Sequence, residues 1–266
     1  MQKILGYIRK AITDYQMLED GDRVAVGVSG GKDSVVLLTG LCRLRRFIGI
    51  DYQVVAVTLD PMFGGVPTDY TPIQKLCDQL EVPFVLKRTD IGPVVFDIRQ
   101  EKNPCSLCAR MRRGALHDAA KEKGCNKIAL GHHYDDVIET ILMGMLYGGQ
   151  VQTMMPKLHS TNFEGMELIR PMYLIREADI CHWRDYHGLR FLQCACRFTE
   201  QNTFCRPDGS SDSKRREIKE LIARLKETNP YVEGNIFKSV ENVNLRTIIS
   251  WKRDGERHSF LDDYDR

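Results

Sequence analysis

Residues Val24 to Leu41 read VAVGVSGGKDSVVLLTGL, and the reading of this stretch decides the fold. Val24 to Val28 are β-branched or small and uncharged, the composition of a strand buried on both faces of a parallel sheet. After Ser29-Gly30-Gly31-Lys32-Asp33-Ser34 an apolar pattern resumes at Val35-Val36-Leu37-Leu38, which reads as a helix with Asp33 and Ser34 in its first turn. Strand, glycine turn and helix N-terminus follow one another. Such a terminus offers unpaired N–H groups and a partial positive charge, and glycines let a phosphate come close to the backbone. The expected guest is a nucleotide.

Two common phosphate motifs fail here. A Walker A loop needs four residues between its glycines and Ser or Thr directly after the lysine, whereas Gly27 and Gly31 enclose three and Asp33 follows Lys32. The dinucleotide pattern G-x-G-x-x-G is also absent. SGGKDS after a buried strand instead resembles the pyrophosphate loop of the ATP-pyrophosphatase superfamily, which includes GMP and NAD synthetases, lysidine synthetase and tRNA thiolation enzymes. That resemblance implies ATP cleavage between the α and β phosphates, with adenylation of a substrate. The plain alternative is a glycine turn with a solvated Lys-Asp pair.

Outward from this unit the alternation continues. Tyr52 to Leu59 reads as a strand ending at Asp60, Thr71 to Leu80 as a helix, Pro83 to Leu86 as a strand and Ala109 to Lys123 as a helix. Lys127 to Leu130 is a further strand and Tyr134 to Tyr147 a helix. This order predicts an α/β fold with a doubly wound parallel sheet and a helical C-terminal extension. Ligands of such sheets sit at the carboxyl ends of the strands, where Ser29 to Ser34, Leu59-Asp60 and Gly131 to Asp136 all fall.

Gly148 to Glu167 reads as an exposed loop or hairpin before Leu168-Ile169-Arg170-Pro171, and Arg176 to His187 as a short helix. Residues 201–213 are polar and turn-rich, so the expected division is 1–200 for the nucleotide domain with its cysteines and 201–266 for a linker, a basic amphipathic helix and a charged tail. The tail, Lys252 to Arg266, is expected to be mobile.

With 266 residues the chain can hold one sizeable α/β core and an appendage. No apolar run approaches the roughly 20 residues of a membrane span. Ile4, Leu5, Ile8 and Ile12 recur at helical period, but Arg9, Lys10 and Asp14 interrupt too early for a signal peptide. The expected location is the cytoplasm, where the nine cysteines are thiols or ligands before they are disulfides. A net charge of +2 does not mark a nucleic-acid protein. Clusters at Arg43, Arg45 and Arg46, at Arg110, Arg112 and Arg113, and at Lys214, Arg215 and Arg216 are either phosphate-backbone contacts or solvated helix faces.

A second motif follows the strand at Lys127. ALGHHYDDVIET, Ala129 to Thr140, places carboxylates where a triphosphate would lie, and such carboxylates are ordinary Mg²⁺ ligands. The segment resembles the G-H-x-x-D-D motif of the same superfamily, which faces the pyrophosphate loop. By that resemblance Val28, Ser29, Gly30, Gly31, Lys32, Asp33 and Ser34 bind ATP with Leu59 at the adenine and Gly131 bordering the nucleotide. Lys32, Asp33 and Asp136 are the catalytic group, with Asp33 and Asp136 on magnesium. His132 and His133 are assigned to capping or packing.

The cysteines address the substrate. In PCSLCARMRRGAL, Cys105 and Cys108 stand three apart at a helix start, a spacing shared by zinc sites, redox pairs and iron-sulfur sites. LQCACRFTEQNTFC adds Cys194, Cys196 and Cys205. CSLCARMRRGAL, KIALGHHYDDVIET, YGG at Tyr147, PKL at Pro156 and IRP at Ile169 together resemble the tRNA 2-thiocytidine synthetase family over roughly Ile4 to Ile249. The resemblance implies a 4Fe-4S cluster held by Cys105, Cys108 and Cys194. The second pair departs from the family pattern, because Cys194-Ala195-Cys196 is C-x-C and Arg197 stands where a fourth cysteine would be.

The implied activity is ATP-dependent tRNA thiolation, in which a base carbonyl, C2 of an anticodon-loop cytidine, is adenylated and then replaced by sulfur. Implied partners are tRNA and a sulfur donor such as a cysteine desulfurase, without a membrane, and a homodimer is a candidate assembly. Two alternatives stay open: a ligase or amidotransferase of the superfamily with structural zinc on the same cysteines, and a non-catalytic adenine-nucleotide-binding module.

Overall fold

A computed structural model describes residues 1–99, 104–188 and 214–264. Its centre is a six-stranded sheet of order β3-β2-β1-β4-β6-β5. The strands are β1 Asp22–Gly27, β2 Tyr52–Asp60, β3 Phe84–Arg88, β4 Lys127–Ala129, β5 Lys157–His159 and β6 Glu167–Ile169. All pairings are parallel except β5 with β6. The antiparallel pair is the hairpin form of the segment that the sequence left as loop or hairpin.

β1 lies in the middle, between β2 and β4, and its Val24, Ala25 and Val26 are wholly buried. A strand with neighbours on both edges and helices on both faces has no polar side to present, which is why its sequence does not alternate. The chain leaves β1 through the glycine loop into α2, Lys32–Leu44, whose Val36, Leu37, Leu38 and Leu41 are also fully buried. α1, Gln2–Asp14, buries Ile4, Ile8, Ala11 and Ile12 at helical spacing. α3, Thr71–Gln79, has a proline in its first turn. α4, Pro104–Glu122, likewise begins on a proline, upstream of the start at Ala109 that apolar spacing suggested. α5, Tyr134–Gly148, follows β4, and α6, Glu177–Tyr186, follows β6. The sheet order reverses between β1 and β4, so the ends of these two strands open a crevice.

The chain separates into two compact units, the described residues of Met1–Val137 with Met154–Ser213, and Ile138–Thr153 with Lys214–Arg266. The boundary expected at residue 200 lies outside the described residues. In the second unit α7, Lys214–Thr228, is joined to the end of α5: Arg215 and Lys219 stand 3.5 and 3.6 Å from the buried Glu139, and the Tyr147 hydroxyl donates to Glu217 at 2.5 Å. The last helix is α8, Val232–Ser239.

The tail differs from expectation. Instead of a mobile charged run, β7 Ser250–Arg253 and β8 Glu256–Ser259 form an antiparallel hairpin. Asp254 and Gly255 both have positive φ, 52° and 85°, the backbone of a tight two-residue hairpin turn for which Asp-Gly is favoured. Ser259 then caps a short 3-10 turn through a reciprocal capping box with Asp262. Asp254-Gly255 is the local signal for this turn, set within a run whose charge alone reads as a tail.

Candidate active site

The crevice holds a cavity of about 480 Å³. Val28, Ser29, Asp33, Ser34, Leu59, Gly131 and Asp136, all named from the sequence, line it. Its inner wall is apolar, with Val57, Leu116, Ile128, Leu130 and Leu168, while His132, Arg112 and Arg113 add polar groups. Apolar and polar groups share the lining almost equally, and an apolar wall with convergent polar groups is the usual make-up of a ligand pocket.

The loop is shaped by its own side chains. Gly30 has φ 85°, a conformation L side chains avoid, and Gly31 is the N-cap of α2. Ser29 Oγ accepts from the Gly31 N–H at 3.4 Å and Ser34 Oγ donates to the Gly31 carbonyl at 2.9 Å. Thr58 Oγ1 donates to the Val28 carbonyl at 2.7 Å and fixes the strand end. Lys32 turns to carboxylates: its Nζ is 3.0 and 3.1 Å from the two oxygens of Asp33 and 3.0 Å from Glu177 Oε1. Burial works against the ammonium, yet these carboxylates hold its pKa above the ordinary lysine value.

Gly131 is where the two motifs meet. A Cβ there would stand 3.1 Å from the Asp33 carbonyl carbon and 3.2 Å from the Ser34 nitrogen. A methyl there would press the Asp33 backbone back by a few tenths of an ångström.

The paired aspartates of GHHYDD are divided in role. Asp136 faces the cavity and accepts from the His133 N–H at 3.0 Å, half a capping box for α5. Asp135 turns away to α6, where it accepts from the Glu177 N–H at 2.7 Å and pairs with Arg176 at 3.0 Å. His133 is buried among carboxylates, its Nε2 3.5 Å from Asp136 and 4.0 Å from Asp33, its Nδ1 3.7 Å from Asp135. Nδ1 makes no hydrogen bond among the described residues. His132 lines the cavity and accepts at Nδ1 from Arg170 Nε, 3.4 Å away. Burial is the main cause that lowers the Arg170 pKa to about 10, and Arg113 adds like-charge repulsion.

Asp33 and Asp136 therefore flank one histidine nitrogen and both open to the cavity. Two carboxylates beside a phosphate pocket fit Mg²⁺, which takes one or two carboxylates and completes its shell with phosphate oxygens and water. Among the described residues no three His, Cys, Asp or Glu side chains converge as a closed metal site.

Cys108 lies in α4, buried with Ile91 and Val95 and packed by Phe63, Phe96 and Met111. Cys105 belongs to the same helix one turn earlier, and Ala109, Arg112 and Arg113 of that helix line the cavity. The Cys105 side chain and the whole of Cys194, Cys196 and Cys205 lie outside the described residues. Two i,i+3 cysteines at the start of a pocket-lining helix fit the thiolate donor set of an iron-sulfur site.

His117, Glu177 and Arg170 are the cavity or neighbouring groups that the sequence did not single out. Arg112 and Arg113 were visible only as positive charge.

A buried strand running into SGGKDS, faced by GHHYDD across the switch point, is the arrangement of a PP-loop domain, and the model of the PP-loop domain family matches residues 4–203. Curated relatives narrow the class. The tRNA-cytidine(32) 2-sulfurtransferase of Syntrophotalea carbinolica is 36% identical over 249 residues, covering 93% of this chain and 92% of that protein. That of Geobacter sulfurreducens is 34% identical over 252 residues, with 93% and 92% covered. The chain belongs to the tRNA-cytidine(32) 2-sulfurtransferase family of PP-loop proteins. Among solved structures, the U34-tRNA thiolase NcsA from Methanococcus maripaludis with its 4Fe-4S cluster shares the fold, at TM-score 0.70 and 23% identity over 90% of this chain and 77% of that one.

Proposed function

We propose that this chain is an ATP-dependent tRNA thiolase that exchanges the C2 oxygen of an anticodon-loop cytidine, position 32, for sulfur. The observation that carries the reading is the convergence of SGGKDS and GHHYDD on one cavity in a chain of this family.

Oxide is too poor a leaving group for direct exchange. The C2 oxygen of cytosine attacks the α phosphorus of ATP, pyrophosphate departs, and the base is left O-adenylated. Sulfide then adds at C2 and AMP leaves with the former carbonyl oxygen, so no net oxidation or reduction occurs. The residues assigned to the first step are Lys32 and the N–H groups of Gly31 to Ser34, which stabilise the charge that grows on the phosphates. Asp33 and Asp136 would hold Mg²⁺, which would neutralise the departing pyrophosphate. Val57, Leu59 and Leu116 offer the apolar slot for adenine, and Arg112 and Arg113 a cationic face for the tRNA backbone. A cytidine in a loop can be splayed out of its stack to reach the cavity.

A 4Fe-4S cluster on Cys105, Cys108 and Cys194 would supply an iron able to carry sulfide beside the activated carbon. The sulfur source is assigned to a cysteine desulfurase, whose persulfide sulfur is brought to the sulfide level by a thiol reductant that gives up two electrons and ends as a disulfide, before the sulfide adds at C2. The location is assigned to the cytoplasm and the assembly to a homodimer. No helix among the described residues is long and apolar enough to cross a membrane.

Nucleoside mass spectrometry of tRNA from cells lacking the protein tests the substrate. Loss of 2-thiocytidine, restored by the wild-type gene, is the expected result, and an unchanged nucleoside profile would reject it. Iron and acid-labile sulfide in protein purified without oxygen, lost in Cys105→Ala or Cys108→Ala, is the expected metal content. Stoichiometric zinc without iron would favour a structural metal site.

A further inference from the structure

Lys32 sits in the first turn of α2, at the end of the helix where the backbone already carries partial positive charge. A cation there is disfavoured unless carboxylates hold it, and a lysine has four rotatable carbons over which to lose its place. Two carboxylates do hold it, Asp33 at 3.0 Å and Glu177 at 3.0 Å. They are not equivalent. Asp33 opens to the cavity and is the candidate magnesium ligand, and a carboxylate engaged by a divalent cation cannot keep a full ion pair with an ammonium that the same cation repels. Neither Glu177 nor Lys32 is among the cavity-lining residues, whereas Asp33 is, so the Lys32–Glu177 pair stands apart from the candidate metal position.

Glu177 is itself held. It is the first residue of α6, where helix polarity favours an acid, and its N–H donates to Asp135 at 2.7 Å. Arg176 pairs with the same Asp135 at 3.0 Å and lies 4.8 Å over the Tyr134 ring. The Tyr134 N–H donates to the Ile175 carbonyl at 2.9 Å. The start of α6 is thus fastened to the GHHYDD segment while its glutamate reaches across to SGGKDS.

We infer that Glu177 is the positioning residue of the pyrophosphate-loop lysine: it fixes the Lys32 ammonium relative to the Asp135-Asp136 segment during phosphate cleavage. This inference rests on the ATP chemistry proposed above and adds a residue that acts through Lys32 rather than on phosphate.

The test measures tRNA-dependent pyrophosphate release with Mg²⁺ and varied ATP. Glu177→Gln keeps the shape and removes the charge. It should lower kcat roughly ten- to a hundredfold, the scale of a misplaced catalytic group, with KM for ATP within about twofold, while Glu177→Asp recovers part of the loss. In a Lys32→Ala background, adding Glu177→Gln should cost nothing more, because a residue that acts through Lys32 has nothing left to position. Thermal melting of Glu177→Gln close to wild type is expected and shows that the loss is not one of folding. A wild-type rate in Glu177→Gln, or a full multiplicative loss in the double variant, overturns the inference while leaving the activity intact. Wild-type protein that releases no pyrophosphate with tRNA overturns the functional reading itself and the inference with it.

Discussion

The two ends of the same parallel sheet handle charge in opposite ways. At the amino ends of the strands Lys127 is buried, 2.6 Å from Glu167 and 3.3 Å from Asp22, and Asn126 donates to Asp22 at 2.7 Å. Lys157 adds a second contact to Glu167 at 3.4 Å. These four charges, Asp22, Lys127, Lys157 and Glu167, are matched by one another. At the carboxyl ends Asp33, Asp136 and His133 crowd together, Arg112 and Arg113 face a cavity, and His133 Nδ1 is buried without a hydrogen bond among the described residues. The closed network spends its charge on the fold; the open one keeps its charge for a ligand. Substitutions at the two ends should accordingly fail in different assays.

The largest effect is expected at the closed end. Lys127→Met removes the ammonium shared by buried Asp22 and half-buried Glu167, which keep Asn126 and Lys157 as partners. Breaking a buried pair commonly costs about 3–5 kcal/mol, and denaturant unfolding should record a loss toward the lower end of that range as a lower midpoint at unchanged slope. Next comes the open end. Lys32→Ala and Asp136→Asn, which keeps an oxygen to accept from the His133 N–H, should each reduce tRNA-dependent pyrophosphate release about a hundredfold, the scale of a lost electrostatic contact to a reacting centre, with little change in that midpoint. Stability lost at Asp136, or activity lost at Lys127 beyond the unfolded fraction, would erase the distinction.

A pH series sharpens it. Burial pushes the Glu167 pKa up, but pairing with Lys127 and Lys157 outweighs burial and leaves it below the ordinary 4.5. A depressed carboxylate contributes stability that is complete above the unfolded value and vanishes as pH falls through the folded one. Glu167→Gln should therefore be less stable than wild type at neutral pH, and the gap should close below pH 4.5. Lys127 behaves oppositely. Its pKa lies above 10.5, because its two carboxylate partners outweigh burial, so its contribution persists through neutrality and fades only in strong alkali. The smallest effect is expected at Gly131→Ala, which presses on the Asp33 backbone at 3.1 Å. A cost of roughly 1–3 kcal/mol is typical of overpacking, read here as weaker ATP binding by calorimetry.

Much of this was legible in the sequence because it is local. The uninterrupted apolar run at Val24, the glycines after it and the GHHYDD segment each carry their meaning within a few residues, and the strand alternation located them at one edge of the sheet. What escaped is non-local or conditional. Glu177 meets Lys32 only because β6 returns beside β4, a register that no spacing encodes. His117 hydrogen-bonds the Arg113 carbonyl at 2.8 Å and stacks on Phe163, so its identity reflects a partner far along the chain. Asp135 and Asp136 look interchangeable as letters. Helical rotation of about 100° per residue sends one to α6 and the other to the cavity.

The contact at Gly131 also bears on how the site responds to its surroundings. Its distance from the backbone of Asp33 is a matter of atomic size, not of charge, and so has no Debye length. Raising ionic strength should weaken the tRNA-backbone contacts proposed for Arg112 and Arg113 without altering the gap between the two motifs. The enzyme should then lose substrate before it loses alignment, with salt acting on the second-order rate for tRNA while turnover at saturation holds steady.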